Sequence, residues 1–381
     1  MRLEEKKISD DELAHWLAFG ATDLFGSHKV ALLEEHLQSL KTAWNASDVV
    51  LQRLKGIGPE TIANLQKARR EIDPYKLLEN FKQSGMKVWT WHDPKYPLSL
   101  RHIHLPPPVL YVNGDISFES FTTVVGVVGT RHPSTYGQKN AKEIGRALSE
   151  NGITVVSGMA AGCDSLAHWG AIEGGSPTIA VLGCGADVCY PSGNRKLFDT
   201  ILEGKGAIVS EYPPGTPPET FRFPQRNRII AGLCRALVVV EGLITSGSLI
   251  TAKLAFEGDR DVFAFPGRID NRMAEGPHDL IKRQSARLCT GIDDILEHMN
   301  FTKTRAGADR ERPAVVELFG REKEVYGLIT HDSIHFDQLC SKTDMDPGEL
   351  SAVLTMLELA GLVLREPGDW YSRHRDIQVT T

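Results

Sequence analysis

From residue 124 onward, short apolar runs alternate with longer amphipathic stretches: Val124 to Val128, Ile153 to Val156, Thr178 to Leu182, Ala207 to Val209, Leu237 to Val240 and Val262 to Phe265. Short, continuously apolar, β-branched runs are what strands buried on both faces look like. Their alternation with helices predicts an α/β domain over residues 85–300, built on a Rossmann-like, doubly wound, mostly parallel sheet. Upstream, residues 11 to 75 carry the spacing of short amphipathic helices, and Leu54-Lys55-Gly56-Ile57-Gly58-Pro59 sets two glycines around an isoleucine just before a helix. Such a turn lets helix-start amides approach a phosphate, with Lys67, Arg69 and Arg70 behind it. Residues 1–80 are therefore read as a SAM-like, helix-hairpin-helix module, with packing as its default role. Trp89 to Gly114 is rich in proline and aromatic residues and reads as an extended connector into the sheet.

The polar stretch Thr302 to Arg312 predicts a linker over residues 301–313. Residues 314–375 then offer three short helical patterns and two small strands around Pro367-Gly368, the order of a winged-helix module. Its would-be reading helix, Asp346 to Leu359, carries Asp346, Glu349 and Glu358 but no lysine or arginine, which favours protein contact over phosphate.

A length of 381 residues suits two or three domains, and 41% apolar with 24% charged residues is ordinary for a globular protein. No apolar run approaches the roughly 18 residues needed to span a bilayer, which argues against a membrane role. The charged N-terminus, Met1 to Asp10, lacks the apolar core of a secretory signal, and the six cysteines form no CxxC pair, so a reducing cytoplasm is expected. Cys184 and Cys189 read as buried thiols, and neither a metal nor another cofactor is expected. A net charge of −6 argues against coating nucleic acid along the whole surface, so any DNA contact has to be local.

Candidate chemistry sits at the strand ends. Small-residue turns follow almost every strand: Gly129-Thr130-Arg131, Ser157-Gly158, Gly183-Cys184-Gly185, Ser246-Gly247-Ser248 and Pro266-Gly267. In a doubly wound sheet these turns gather along the carboxyl edge, where helix starts present unpaired N–H groups to an anion. Ser246, Ser248 and Thr251 add hydroxyl donors. Arg131, Arg195 and Lys196 add charge, and Phe221-Arg222-Phe223-Pro224-Gln225-Arg226-Asn227-Arg228 packs three arginines around two aromatics. Guanidinium groups pair with phosphates and aromatic faces accept stacked bases, the combination suited to single-stranded nucleic acid. Internal pairing with Asp or Glu stays open for Arg226 and Arg228.

These motifs together resemble the DNA-processing protein A family, also called Smf. The residues that carry the likeness are Val127-Val128-Gly129-Thr130-Arg131, Val156-Ser157-Gly158-Met159-Ala160-Ala161-Gly162-Cys163-Asp164, Ser210-Glu211-Tyr212, Phe223-Pro224-Gln225-Arg226-Asn227-Arg228, Ser246-Gly247-Ser248-Leu249-Ile250-Thr251-Ala252 and Phe265-Pro266-Gly267. They span roughly residues 95 to 300 and are highly specific in combination; the likeness of both terminal modules is looser. The resemblance implies a dimeric cytoplasmic protein that binds single-stranded DNA in a basic pocket and helps load RecA onto it during transformation and recombination. It also implies backbone contacts at Arg131 and the Ser246-Gly247-Ser248 loop. Two positions depart from the family pattern: Ala161 stands where an arginine is usual, and Ser285 where a glycine is usual beside Ala286.

An enzyme on a similar fold, such as a nucleotide hydrolase, is the rival reading, with Asp164 and His168, or Glu211 and Glu241, as acid and base. Asp164 reads better as a helix N-cap and His168 as a core-edge residue. The turn at Ser246 is followed by Ala252, Lys253 and Leu254 where a phosphoribohydrolase of similar loop would place a carboxylate, and the first loop lacks GxGxxG. No enzymatic activity is expected. A nucleotide-sensing module is the remaining alternative.

Overall fold

The computed structural model describes residues 6, 8–22, 25–116, 123–301, 316–330, 333–366, 368–373 and 379–380. They divide between two compact units, residues 1–304 and 305–381. The chain opens on helices α1 (Asp10–Gly20), α2 (Ser27–Leu37), α3 (Leu40–Asn45), α4 (Asp48–Gln52), α5 (Pro59–Glu71) and α6 (Pro74–Gln83). Their starts follow from local chemistry: Ser9, Ser39 and Asp73 accept backbone amides of the first turn, and proline opens α5 and α6.

The stretch that reads as a connector instead contributes two strands, β1 (Lys87–Thr90) and β2 (Val109–Gly114), with the short α7 (Leu98–Arg101) between them. Both pair antiparallel, β1 on β2 and β2 on β6 (Gly206–Ser210), with Tyr111 opposite Ser210 and Gly114 opposite Ala207. The aromatic residues of this segment are core: Trp89, Trp91, Tyr96 and Tyr111 are all buried, and Trp91 meets Trp16 of α1 edge to face at 5.6 Å. They tie the helical module to the sheet.

The predicted alternation then appears as β3 (Val124–Val128), α8 (Thr135–Glu150), β4 (Thr154–Ser157), α9 (Cys163–Gly174), β5 (Thr178–Val181), α10 (Arg195–Thr200), β6, α11 (Arg222–Leu233), β7 (Ala236–Val239), α12 (Gly247–Glu257), β8 (Asp261–Ala264), α13 (Glu275–Lys282), β9 (Arg287–Leu288) and α14 (Ile292–His298). The sheet runs β1-β2-β6-β5-β4-β3-β7-β8-β9, parallel from β6 to β9. Strand order reverses between β3 and β7, which makes that gap the switch point where open α/β sheets bind ligands. One face is covered by α8, α9 and α14 through Ile144, Leu148, Ala167 and Ile295. The other is covered by α10, α11, α12 and the helical module, with Ile229, Ile230 and Leu33 in one continuous core.

The second unit holds β10 (Val316–Glu317), α15 (Gly320–Leu328), β11 (Ile334–His335), α16 (Phe336–Lys342), α17 (Pro347–Leu359), β12 (Val363–Glu366), β13 (Trp370–Arg373) and β14 (Val379–Thr380). Three helices pack on a β11-β13-β12 sheet around Val325, Leu339, Leu350 and Leu354, a winged-helix arrangement. The linker expected over 301–313 lies, from residue 302, outside the described residues.

Candidate functional site

A cavity of about 460 Å³ opens at the switch point. Of the residues singled out in the sequence, Gly129, Thr130, Arg131, Phe223, Arg226, Asn227, Ser246, Gly247, Ser248 and Thr251 line it. Two loop attachments shape its floor. Thr130 donates its amide to the Glu241 carbonyl at 2.7 Å, joining the loop after β3 to the end of β7. Cys163 donates its amide to the Thr130 carbonyl at 3.1 Å, joining that loop to the start of α9. Gly162, at φ 83°, permits this approach: a Cβ there would stand 2.5 Å from the Thr130 carbonyl oxygen and 2.7 Å from that of Arg131.

Helix α12 points its start at the cavity. The N-cap, Ser246, accepts the Leu243 amide at 2.8 Å with its hydroxyl and gives no side-chain cap to the helix; Leu249 donates its amide to the Ser246 carbonyl at 3.0 Å, so those of Gly247 and Ser248 stay available. Ser248 is only 7% exposed, yet its hydroxyl has no hydrogen-bond partner among the described residues. A buried hydroxyl left unpaired costs about 1–3 kcal/mol, which an anion's oxygen would recover. Asn227 donates to the Gly247 carbonyl at 3.3 Å and fixes α11 against this helix start.

The opposite wall is aromatic. Tyr190 and Phe223 stack with centroids 5.3 Å apart and planes at 23°, and the exposed Arg131 guanidinium lies 5.9 Å from the Phe223 ring centre. Phe221 faces a different hollow, so the two phenylalanines do not form one platform.

The arginines divide by role. Arg226 lines the cavity but is 5% exposed, and its Nη1 donates to the Gly158 carbonyl at 2.8 Å and to that of Val181. Burial lowers its pKa to about 10, with nearby Asp164 opposing the shift. Gly158 makes room for it, since a Cβ there would stand 2.6 Å from the guanidinium nitrogens. Arg228 does not line the cavity; it pairs bidentately with Glu211, both arms at 2.7 Å, and also donates to Leu105 and Gln225 carbonyls. Arg222 is buried, donates to the Pro217 carbonyl at 2.7 Å and stacks over Tyr212. Arg195 and Lys196 sit on α10, near Phe198 and Trp169 respectively, outside the lining. Ser157 is buried and donates to the Val127 carbonyl at 2.6 Å, and Gly158 likewise lies behind the wall. In the helical module, Arg69 turns inward to the Ala43 and Ala46 carbonyls, and Lys67 pairs with Glu71.

The acid–base candidates are all engaged in structure. Glu241 is 2% exposed and accepts Ser134, through both amide and hydroxyl, and Asn271. Glu211 holds Arg228. Asp164 does not cap α9, whose N-cap is Gly162; its carboxylate accepts the Gly158 amide at 3.2 Å and latches the loop after β4, while burial raises its pKa. His168 is fully buried rather than at the core edge. Thr178 donates its hydroxyl proton to the Val155 carbonyl, so Nδ1 of His168 donates to Thr178 at 2.7 Å and Nε2 is left bare. Burial lowers this histidine's pKa to about 3.

Tyr190, Thr220 and Ala160 also line the cavity without having been picked from the sequence as site residues, and Asp164 reaches it too. No helix among the described residues is long and apolar enough to cross a membrane.

Residues 87–300 match the family DNA recombination-mediator protein A, and residues 309–369 match the DprA winged helix domain. Protein Smf of Synechocystis sp. is 36% identical over 398 residues, covering 96% of this chain and all of that protein. DNA processing protein DprA of Streptococcus pneumoniae is 44% identical over 231 residues, 61% of this chain and 80% of that one. The X-ray structure of the latter protein superposes with a TM-score of 0.65 at 35% identity, covering 77% of this chain and 98% of that one. DNA processing protein A from Helicobacter pylori, described for its unique single-stranded DNA binding mode, superposes with a TM-score of 0.52 at 27% identity, over 57% of this chain and 96% of that one.

Proposed function

The chain belongs to the DNA recombination-mediator protein A family, and on that premise we propose that it binds single-stranded DNA without catalysis, shields it and passes it to a RecA-type recombinase. One observation carries the reading: a single 460 Å³ cavity joins phosphate chemistry to base chemistry. The open α12 start, the unpaired Ser248 hydroxyl and Arg131 suit a phosphodiester, and the Tyr190–Phe223 stack suits an unpaired base. Among the arginines, Arg131 is the direct phosphate partner, whereas Arg226 shapes the wall and contributes its field from beneath.

Membership of the family is the ground for RecA delivery, for a cytoplasmic location and for action as a homodimer. The winged helix of residues 314–375 is assigned to protein contact.

Filter-binding titrations of the full chain with single-stranded and duplex oligonucleotides at two salt concentrations test the reading. Preference for the single strand, falling as salt rises, is the expected result. Equal affinity for duplex would overturn it, as would a mononucleotide that displaces the oligonucleotide at micromolar concentration, which would make the cavity a nucleotide sensor.

A further inference from the structure

A second hollow, of about 210 Å³, lies between the start of α11 and the helical module. Thr220 and Phe223 line the first cavity and Phe221 lines the second, so one short segment borders both. The walls of the second are aromatic: Trp16, Phe19 and Phe25 from α1 and the turn before α2, with Tyr212 and Phe221 across from them. Phe221 is 54% exposed, a large ring held in water at the mouth of a ring-lined hollow.

The polar groups there are nearly all committed. Glu211 is neutralised by its bidentate pair with Arg228, and the Tyr212 hydroxyl donates to Gln225 Oε1 at 3.0 Å, which leaves the exposed Gln225 amide nitrogen to donate outward. The Arg222 guanidinium lies 5.0 Å from the Tyr212 ring and 5.3 Å from that of Phe221, adding positive charge beside both. An aromatic hollow with one outward donor and a cation at its rim suits a planar heteroaromatic ring that carries carbonyl acceptors and is tethered to an anion. Between the two hollows, the first turn of α11 keeps one open amide, that of Phe223, because Arg222 donates its amide to the Glu219 carbonyl and Pro224 has none, so a phosphodiester crossing it meets that single donor.

We propose that the hollow between α11 and the helical module takes a second unpaired base of the same DNA strand, which makes the helical module part of the DNA site. This rests on the reading of the first cavity as a single-strand site. The test is the affinity of the full-length protein for oligodeoxythymidylates of increasing length, compared among wild type, Phe221→Ala, Phe221→Tyr and Phe223→Ala. Phe221→Ala is expected to leave the shortest oligonucleotides unaffected and, from one defined length upward, to weaken binding about tenfold, the loss of one stacked base. Phe221→Tyr restores it, whereas Phe223→Ala weakens every length. Wild-type affinity of Phe221→Ala at all lengths would overturn the second subsite, as would a uniform loss that the tyrosine does not rescue. If Phe223→Ala is silent while Phe221→Ala shows its length-dependent loss, the first-cavity reading fails and the second subsite stands.

Discussion

Helices α12 and α17 both begin with a polar N-cap and both turn a start toward solvent, yet they treat the open amides of the first turn in opposite ways. In α12, Ser246 turns its hydroxyl back to Leu243, and the helix start opens into the large cavity. In α17, Asp346 accepts the Gly348 and Glu349 amides, so the protein's own carboxylate occupies the place an anion would take. The surroundings agree with that division. Residues 316–373 hold eleven carboxylates against Arg321, Lys323, Lys342, Arg365 and Arg373, and the outer face of α17 exposes Met356 at 56% and Leu359 at 79%. The second unit thus carries an excess of negative charge of its own, and the two helices illustrate that an overall charge of −6 says little about where an anion can bind.

Substitutions can break this contrast to different depths. The largest effect is expected for Arg226→Ala, which leaves Asp164 buried without its cation; urea unfolding should show a loss of about 3–5 kcal/mol in the first unit. Gly162→Ala adds a Cβ at a positive φ and against two carbonyls, and should cost about 2 kcal/mol in the same measurement. His168 links stability to pH. Its folded pKa of about 3 lies below the ordinary value near 6.5, so between those pH values the unfolded chain binds the extra proton and stability falls as pH falls, by up to about 1.4 kcal/mol per pH unit. Acid titration of thermal unfolding should show that slope in the first unit, and His168→Gln should flatten it. Arg131→Gln should weaken single-strand binding about five- to tenfold and reduce the salt slope by about 0.7, with little change in stability. Asp346→Ala sharpens the comparison from the other side: it should destabilise the winged helix by about 1 kcal/mol and leave single-strand affinity unchanged.

The parallel strands were legible because burial on both faces imposes a composition that no other element shares, and Val124–Val128 and its counterparts fall within a residue or two of their expected places. The strands β1 and β2 were not, since Trp89, Trp91 and Pro106 to Pro108 have the composition of a connector, and only the pairing with β6, distant in sequence, makes them sheet. At the site, the glycine and serine loops were readable because they act through backbone and position. The arginines were less so: Arg228 finds Glu211 17 residues away and Arg226 finds the Gly158 carbonyl 68 residues away, and neither partner leaves a local signature. Tyr190 escaped notice as a site residue for the same reason, because its stacking partner, Phe223, comes from the first turn of α11, 33 residues on.

The antiparallel insertion of β2 also sets an order of events during synthesis. Its partner β6 follows roughly ninety residues later, which at 5–20 residues per second is a wait of about 5–20 s on the ribosome. During that interval Tyr111 lacks its cross-strand neighbour Ser210, and the open edge of β2 shows aromatic surface to whatever holdase or neighbouring chain it meets. A truncated chain ending before residue 206 should therefore remain chaperone-bound, however well its six helices form.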